Sequence, residues 1–443
     1  YLSIYLFIYL FTTHVFIYLL FMYLLFIYSC NYIYVMSDQM IYLDNNATTV
    51  MPTHVRKSFL RWCNMGNPSS SYATAKKSRA MMNEFRILIS RVCKFDACCQ
   101  EDRDYNGDAV VNAAKRLDVN KYKIIFTSGA SESNCTIIGS VVDAFAENRS
   151  MIPHVIVSAI EHKSIIDMVK SLESRGRITA TYIKPTTSGH IRPEDVSAAI
   201  IPNTCLIAVM HANNETGAIN DIEKIGAIAH ANGVPFHCDC AQTFGKFPIC
   251  PIPNVDSFCI SFHKFQGPPG VGALIVKQQL LNGYKLHPMI FGSQNEGYRG
   301  GTENLPGIGA SLTATKLMLE SRIEKNTMML SIRKYIMTEL GKRLPTRSFT
   351  QYIVDKTPRQ PAVEIVFLSG DNEVYLPNTL MLSVVKRTTP TICNGQLKKN
   401  LEDKGIVVSV GSACNTASPK ASHVLYAMGA DDLPACPMQF GQC

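Results

Sequence analysis

"SFHKFQGPPGVGALIV", residues 261 to 276, sets a lysine between two apolar runs. "DSFCISFHK" and "GVGALIV" read as strands, with Gly267, Pro268, Pro269 and Gly270 as the turn between them. Other short β-branched runs share this form: "KIIFTSG", "HVIVSAIEH", "CLIAVMHANNETG" and "VPFHCDCAQ". Between several of them lie helix-like stretches such as "SIIDMVKSLESRG" and "IEKIGAIAHANG". Apolar strands alternating with amphipathic helices predict an α/β fold whose mostly parallel sheet is covered on both faces. In such sheets ligands gather at the carboxyl ends of the strands. The polar residues sit at those ends: Ser128 to Ser131, His162, Asn213 to Glu215, Asp239 to Gln242 and Ser261 to Lys264.

Downstream, a long helical stretch beginning at "NLPGIGASLTATKLMLESRIEKN" leads to "AVEIVFL", "NTLMLSVV", "NGQLKKNLEDKG" and "IVVSVGSAC", a mix that suits a smaller α/β domain. The large domain is expected over residues 53–322. The small domain is expected over 36–52 and 323–443. The irregular, charged stretch from Cys93 to about Asn120 reads as a surface insertion.

The 443 residues are 47% hydrophobic and 18% charged, enough for a large core. The net charge of +8 is mild and no Lys/Arg-rich block stands out, so nucleic acid is not the expected partner. Fifteen cysteines without disulfide-framework spacing point to a reducing compartment, cytoplasmic or organellar. Residues 1–35 carry no Asp, Glu, Lys or Arg. This segment reads either as translated AT-rich sequence ahead of a start at Met36 or Met40, or as a membrane anchor or targeting segment. Membrane association is expected only if it is genuine.

Lys264 at a strand end can form a Schiff base once partial desolvation lowers its pKa. Alone, such a lysine is more often solvated. Asp239 ends the preceding apolar run, where a carboxylate can pair with a protonated pyridine nitrogen, as pyridoxal phosphate requires. It can equally be a helix cap. Ser128, Gly129, Ala130 and Ser131 turn from a strand into a helix, a phosphate site or an ordinary capping turn. His162 can stack on a cofactor ring or be a satisfied strand-end histidine. Cys414, among small residues in "VSVGSACNTAS", is a thiol on an accessible loop. Cys93, Cys98 and Cys99 lack the second pair of a zinc site, so no metal is expected. Cys238 and Cys240 flank Asp239 in a strand, so alternation turns them away from it as buried thiols.

From Ile41 almost to its end the chain resembles the cysteine desulfurases, NifS-like pyridoxal-phosphate enzymes of fold type I. The likeness rests on "IYLDNNATT", "GNPSS", "TSGASESN", "EHKS", "HANNETG", "HCDCAQTFGK", "SFHKFQGPPGVGAL", "YRGGTEN" and "VGSACNTASPKASHVL" in that order. The resemblance implies that Lys264 holds the cofactor, Asp239 its pyridine nitrogen and Gln242 its ring hydroxyl. Ala130, Ser131, Ser261 and His263 would bind the phosphate, and Thr302 would reach the phosphate of a partner subunit in a homodimer. His162 would stack on the ring and move protons, with Asn214 beside cofactor and substrate. Cys414 would take sulfur from L-cysteine as a persulfide, release alanine, and pass the sulfur to an acceptor such as an iron–sulfur scaffold. A transient iron–sulfur contact at Cys414 is the one metal role the resemblance allows.

Three features depart from the family pattern. Tyr72 in "NPSSSY" replaces a histidine, the stretch after Cys93 is inserted, and "MQFGQC" offers Gln439 and Gln442 where relatives carry an arginine for the substrate carboxylate. A truncated reading frame, or another mode of substrate binding, is the expectation for that end. A selenocysteine lyase or aminotransferase of the same fold is the rival activity. A fold-retaining protein without activity is the other rival.

Overall fold

The computed structural model describes residues 40–92, 122–149, 151–246, 254–355, 363–370, 374–386, 394–410, 422–430, 433 and 438–441. The hydrophobic segment 1–35, the insertion, Cys414 and Gln442 lie outside the described residues.

Seven strands form the main sheet: β2 (Tyr122–Thr127), β3 (His154–Ser158), β4 (Thr179–Ile183), β5 (Thr204–Ala208), β6 (Phe236–Asp239), β7 (Ser257–Ser261) and β8 (Gly272–Lys277). They follow β1 (Ile41–Tyr42) in the chain, and their order across the sheet is β2-β8-β7-β6-β5-β3-β4. β8 runs antiparallel to β2 and β7, and every other pairing is parallel. The sheet is thus mostly parallel, as the strand–helix alternation predicts. Both of its faces are covered. Val155 and Val157 of β3 pack with Val141 and Leu206 on one side, whereas Ile156 between them packs with Ile207 and Phe258 on the other. Two buried faces remove the need for polar alternation, which is why "HVIVS" is nearly continuous in apolar character.

The five-stranded sheet runs β13 (Ser409–Val410), β14 (Met438–Gly441), β11 (Thr379–Lys386), β10 (Val363–Phe367) and β9 (Thr346–Ser348). β1 pairs in parallel with β12 (Ile406–Val407). Ile41 and Leu43 pack with Ile336, Leu340, Ile365 and Leu382 in a separate core. The helix Leu305–Gly341 is continuous across the boundary expected at 322 and serves both cores, through Ile308 and Leu312 at one end and Ile336 and Leu340 at the other. Asn304 caps it, its side-chain oxygen accepting from the Gly307 N–H at 3.1 Å.

Within the smaller sheet Arg347 and Glu364 form a bidentate pair between β9 and β10, with side chains 3% and 5% exposed. Arg347 also donates to the Asp355 carbonyl at 2.8 Å. An isolated buried carboxylate is far costlier than a paired one. Arg347→Met is therefore expected to lower stability by about 3–5 kcal/mol, read as a lower urea midpoint at unchanged slope. The double variant Arg347→Met/Glu364→Met should recover most of that loss. A single variant as stable as the parent would show that the pair is dispensable.

Candidate active site

The carboxyl ends of β2, β3, β5, β6 and β7 open on one cavity of about 450 Å³. Ala130, Ser131, His162, Asn214, Asp239, Gln242, Ser261, His263 and Lys264 all line it. Thr302 is exposed and is not part of its wall. Tyr72 is likewise outside the wall. Its hydroxyl accepts the Asn67 N–H at 3.1 Å, in the loop that precedes the helix Ala73–Val92.

Lys264 lies in a short 3₁₀ turn, Phe262–Phe265, at the end of β7. The turn is tight. A Cβ on Gly267 would stand 2.7 Å from the Phe262 carbonyl oxygen, so only glycine lets the chain fold back there. The Lys264 amine donates to the carbonyls of Asn46 at 2.7 Å and Ala47 at 2.9 Å. Burial pulls its pKa from 10.5 down to about 8, against the attraction of Asp239 and Asp44.

Asp239 ends β6. Its carboxylate accepts from the Asn134 amide at 2.9 Å and from the Ala241 N–H at 2.9 Å. The Cys259 thiol on β7 also donates to it. Cys238 and Cys240 are fully buried, their sulfurs 3.7 Å apart, and neither joins the cavity wall. His162 caps the helix Lys163–Ser174, its Nδ1 accepting from the Ser164 N–H at 3.2 Å. Burial lowers its pKa, and Lys264 and His423 add to this, while Asp239 and Asp167 oppose it. His263 is brought down to about 4, first by burial and then by Lys264 and Lys246, and its Nδ1 meets the Thr48 hydroxyl at 3.0 Å.

The helix Ala130–Asn148 begins at the cavity, and its N-cap, Gly129, brings no side chain to cap its first N–H groups. Unpaired N–H groups and the helix dipole together suit an anion. Gly272 holds this turn against the sheet, since a Cβ there would lie 2.6 Å from the Gly129 Cα. Gln242 is engaged at both ends, donating to the Asn46 carbonyl at 3.1 Å and accepting from Lys246 at 3.2 Å. An amine of lowered pKa, a clamped carboxylate, an anion-binding helix end and an imidazole in one cavity match the chemical groups of pyridoxal phosphate.

The family model of the aminotransferase class-V proteins matches residues 109–430. Cysteine desulfurase IscS of Methanosarcina thermophila is 32% identical over 396 residues, 88% of this chain and 84% of that protein. Cysteine desulfurase IscS of Dictyoglomus turgidum is 33% identical over 396 residues, 88% of this chain and 85% of that protein. The chain belongs to the cysteine desulfurases of the class-V aminotransferase family. Among solved structures, a NifS-like protein superposes with a TM-score of 0.71 at 26% identity, covering 91% of this chain and 94% of its own. SspA in complex with cysteine superposes with a TM-score of 0.66 at 27% identity, covering 90% of this chain and 98% of its own. The fold is thus that of a pyridoxal-phosphate-dependent desulfurase, and the cavity stands at the carboxyl edge of its sheet.

Several wall residues had no role assigned from sequence. Asp44, Asn46 and Ala47 come from "IYLDNNATT", a motif legible as such but mute about which atoms face Lys264. Ser409, Glu215 and Gln439 also line the cavity. Gln439, on β14, donates to the carbonyls of Asn214 and Glu215, so a neutral amide tied to backbone stands there. Among the described residues no group of three or more His, Cys, Asp or Glu side chains is arranged to hold a metal ion. Among the same residues no helix is long and apolar enough to cross a membrane.

Proposed function

We propose that this cavity binds pyridoxal phosphate through Lys264 and accepts L-cysteine, and that Cys414 removes the substrate sulfur. The observation that carries the reading is the Lys264 amine and the clamped Asp239 carboxylate in one cavity with the open helix end at Ala130. When bound, the cofactor supplies an electron sink next to the substrate α-carbon. Asp239 would hold the proton on its ring nitrogen, and Gln242 would meet its ring hydroxyl. The N–H groups of Ala130 and Ser131, with Ser261 and His263, would hold the phosphate. His162 would lie against the ring, with Asn214 at the substrate side. Thr302, exposed on this chain, would serve the site of a partner subunit in a homodimer.

Once freed, the Lys264 amine moves protons at the substrate α-carbon, a task suited to a pKa near neutral. The Cys414 thiolate attacks the substrate sulfur. A sulfur–sulfur bond forms, the carbon–sulfur bond breaks, and the electron pair left on carbon takes up a proton to give L-alanine. The sulfur stays on Cys414 as a persulfide, for transfer to an acceptor such as an iron–sulfur scaffold protein. The test is to load the purified chain with pyridoxal phosphate, add L-cysteine and a thiol reductant, and measure sulfide and alanine. Equal amounts of both are expected. A cofactor-loaded protein that makes neither product would establish the fold-retaining inactive reading instead.

The lowered pKa of Lys264 gives a second prediction. Only the neutral amine attacks an aldehyde. The rate of cofactor uptake by the empty protein should therefore rise with pH through a midpoint near 8. Because the folded pKa lies below the unfolded one, the unfolded chain binds more protons between these values, and empty-protein stability also rises across that window. An uptake midpoint in the ordinary lysine range would show that the amine is not desolvated.

A further inference from the structure

Asn134 lies in the helix Ala130–Asn148, fully buried behind Asp239 and outside the cavity wall. Its side chain touches three groups. Nδ2 is 2.9 Å from Asp239 Oδ2 and 3.0 Å from Ser164 Oγ, and Oδ1 is 2.9 Å from His237 Nε2. A carboxylate only accepts hydrogen bonds, so the amide nitrogen must face Asp239. The amide oxygen then faces His237 and can only accept, so His237 carries a hydrogen on Nε2. His237 Nδ1 meets the Ser257 hydroxyl at 2.9 Å.

The second hydrogen of Nδ2 goes to Ser164 Oγ. That leaves the Ser164 hydroxyl proton for His162 Nδ1, at 2.8 Å. The Ser164 N–H points to the same nitrogen. A ring nitrogen that accepts cannot also carry a hydrogen. Neutral His162 therefore bears its only N–H on Nε2.

We propose that Asn134 is a positioning residue with two effects: it aligns the Asp239 carboxylate for the cofactor's ring nitrogen, and by fixing the Ser164 hydroxyl it adds a second donor, beside the Ser164 N–H, to His162 Nδ1. The proposal rests on the reading of the cavity as the pyridoxal-phosphate site. Burial supports it, because His237 is held down to about 4 against the attraction of Asp239 and so remains neutral. One amide thus couples the carboxylate that would meet the ring nitrogen to the imidazole that would lie against the ring. Supporting partners that orient a reacting group in this way hold it in productive geometry without touching the substrate.

The test uses holoenzyme loaded with cofactor labelled with ¹⁵N at the ring nitrogen and protein labelled with ¹⁵N-histidine, His162 being assigned by its absence in His162→Gln. Wild type should show a protonated ring nitrogen and an Nε2–H tautomer at His162. Asn134→Leu should change both signals, with a drop in turnover of roughly tenfold to a hundredfold, the scale for losing a hydrogen bond to a charged group. Ser164→Ala should shift the His162 Nδ1 signal alone, the backbone N–H at that position still keeping the hydrogen on Nε2, and Ser164→Thr should restore it. His237→Phe should loosen the Asn134 amide and change both signals, and His237→Gln, which keeps a donor toward Asn134, should restore them. If Asn134→Leu does not fold, the two arms decide the matter through Ser164 and His237. Unchanged signals in folded Asn134→Leu, or in both Ser164→Ala and His237→Phe, would overturn the proposal. A wild type that takes up no labelled cofactor would instead overturn the reading of the cavity itself.

Discussion

Lys264→Ala yields a folded protein that no longer fixes pyridoxal phosphate on borohydride reduction, and its cysteine turnover falls roughly 10²–10⁴-fold, the range for a lost proton-transfer group. The expectation rests on where the amine stands. It donates to two backbone carbonyls, at 2.7 and 2.9 Å, and burial has brought its pKa to about 8. Alanine removes the nucleophile, and the Ala47 carbonyl loses this donor while the Asn46 carbonyl keeps the Gln242 amide. Lys264→Arg separates charge from nucleophilicity, because guanidinium stays protonated and cannot condense with an aldehyde. It should fail as alanine does. The rival is specific: Lys246 is buried nearby and donates to Gln242. A reductively fixed label found on Lys246 in the parent protein would overturn the assignment.

The sequence places these groups well wherever a local pattern carries them. Asp239 ends a strand, and Lys264, His162 and Ser131 stand three or four residues past one, so the strand–turn–helix pattern fixes their location at the carboxyl edge. Residues brought in by distant pairing are harder to read. Asp44 and Asn46 reach Lys264 because β1 pairs with β12, Ile41 opposite Ile406, and because Asp44 bridges to Gly441. No spacing in the chain announces those contacts. Asn134 was visible only as the last letter of "TSGASESN". Its contacts come from the convergence of its own helix, β6 and the start of the helix Lys163–Ser174, which takes the three-dimensional structure to see. Gln439 stood out by chemistry, as a neutral residue near a place for an arginine, but its bonds to the Asn214 and Glu215 carbonyls did not.

Cys414→Ser leaves cofactor binding intact and lowers sulfide production by at least about 10³-fold, the scale on which loss of a covalent nucleophile is felt. The residues proposed to hold the cofactor in this cavity lie between Ala130 and Lys264, far upstream of Cys414 in the chain. Yet the chain enters and leaves the stretch 411–421 at the site. Ser409, five residues before Cys414, lines the cavity, and five residues extend at most about 18 Å. On the far side, Ser422 donates to the Glu215 carboxylate at 2.6 Å, and His423 Nε2 donates to the carbonyl of Glu161, the neighbour of His162, at 2.8 Å. Both anchors therefore stand beside the cavity. A serine hydroxyl cannot substitute, because the acceptor must be a thiolate able to form a sulfur–sulfur bond, and an alcohol stays protonated at neutral pH. In the parent protein, mass spectrometry after cysteine treatment should find one extra sulfur on the peptide bearing Cys414. In the variant, added L-cysteine should still perturb the visible absorption of the bound cofactor while alanine fails to accumulate. Parental turnover in Cys414→Ser, or the extra sulfur on half-buried Cys135 or exposed Cys63, would remove Cys414 from the mechanism.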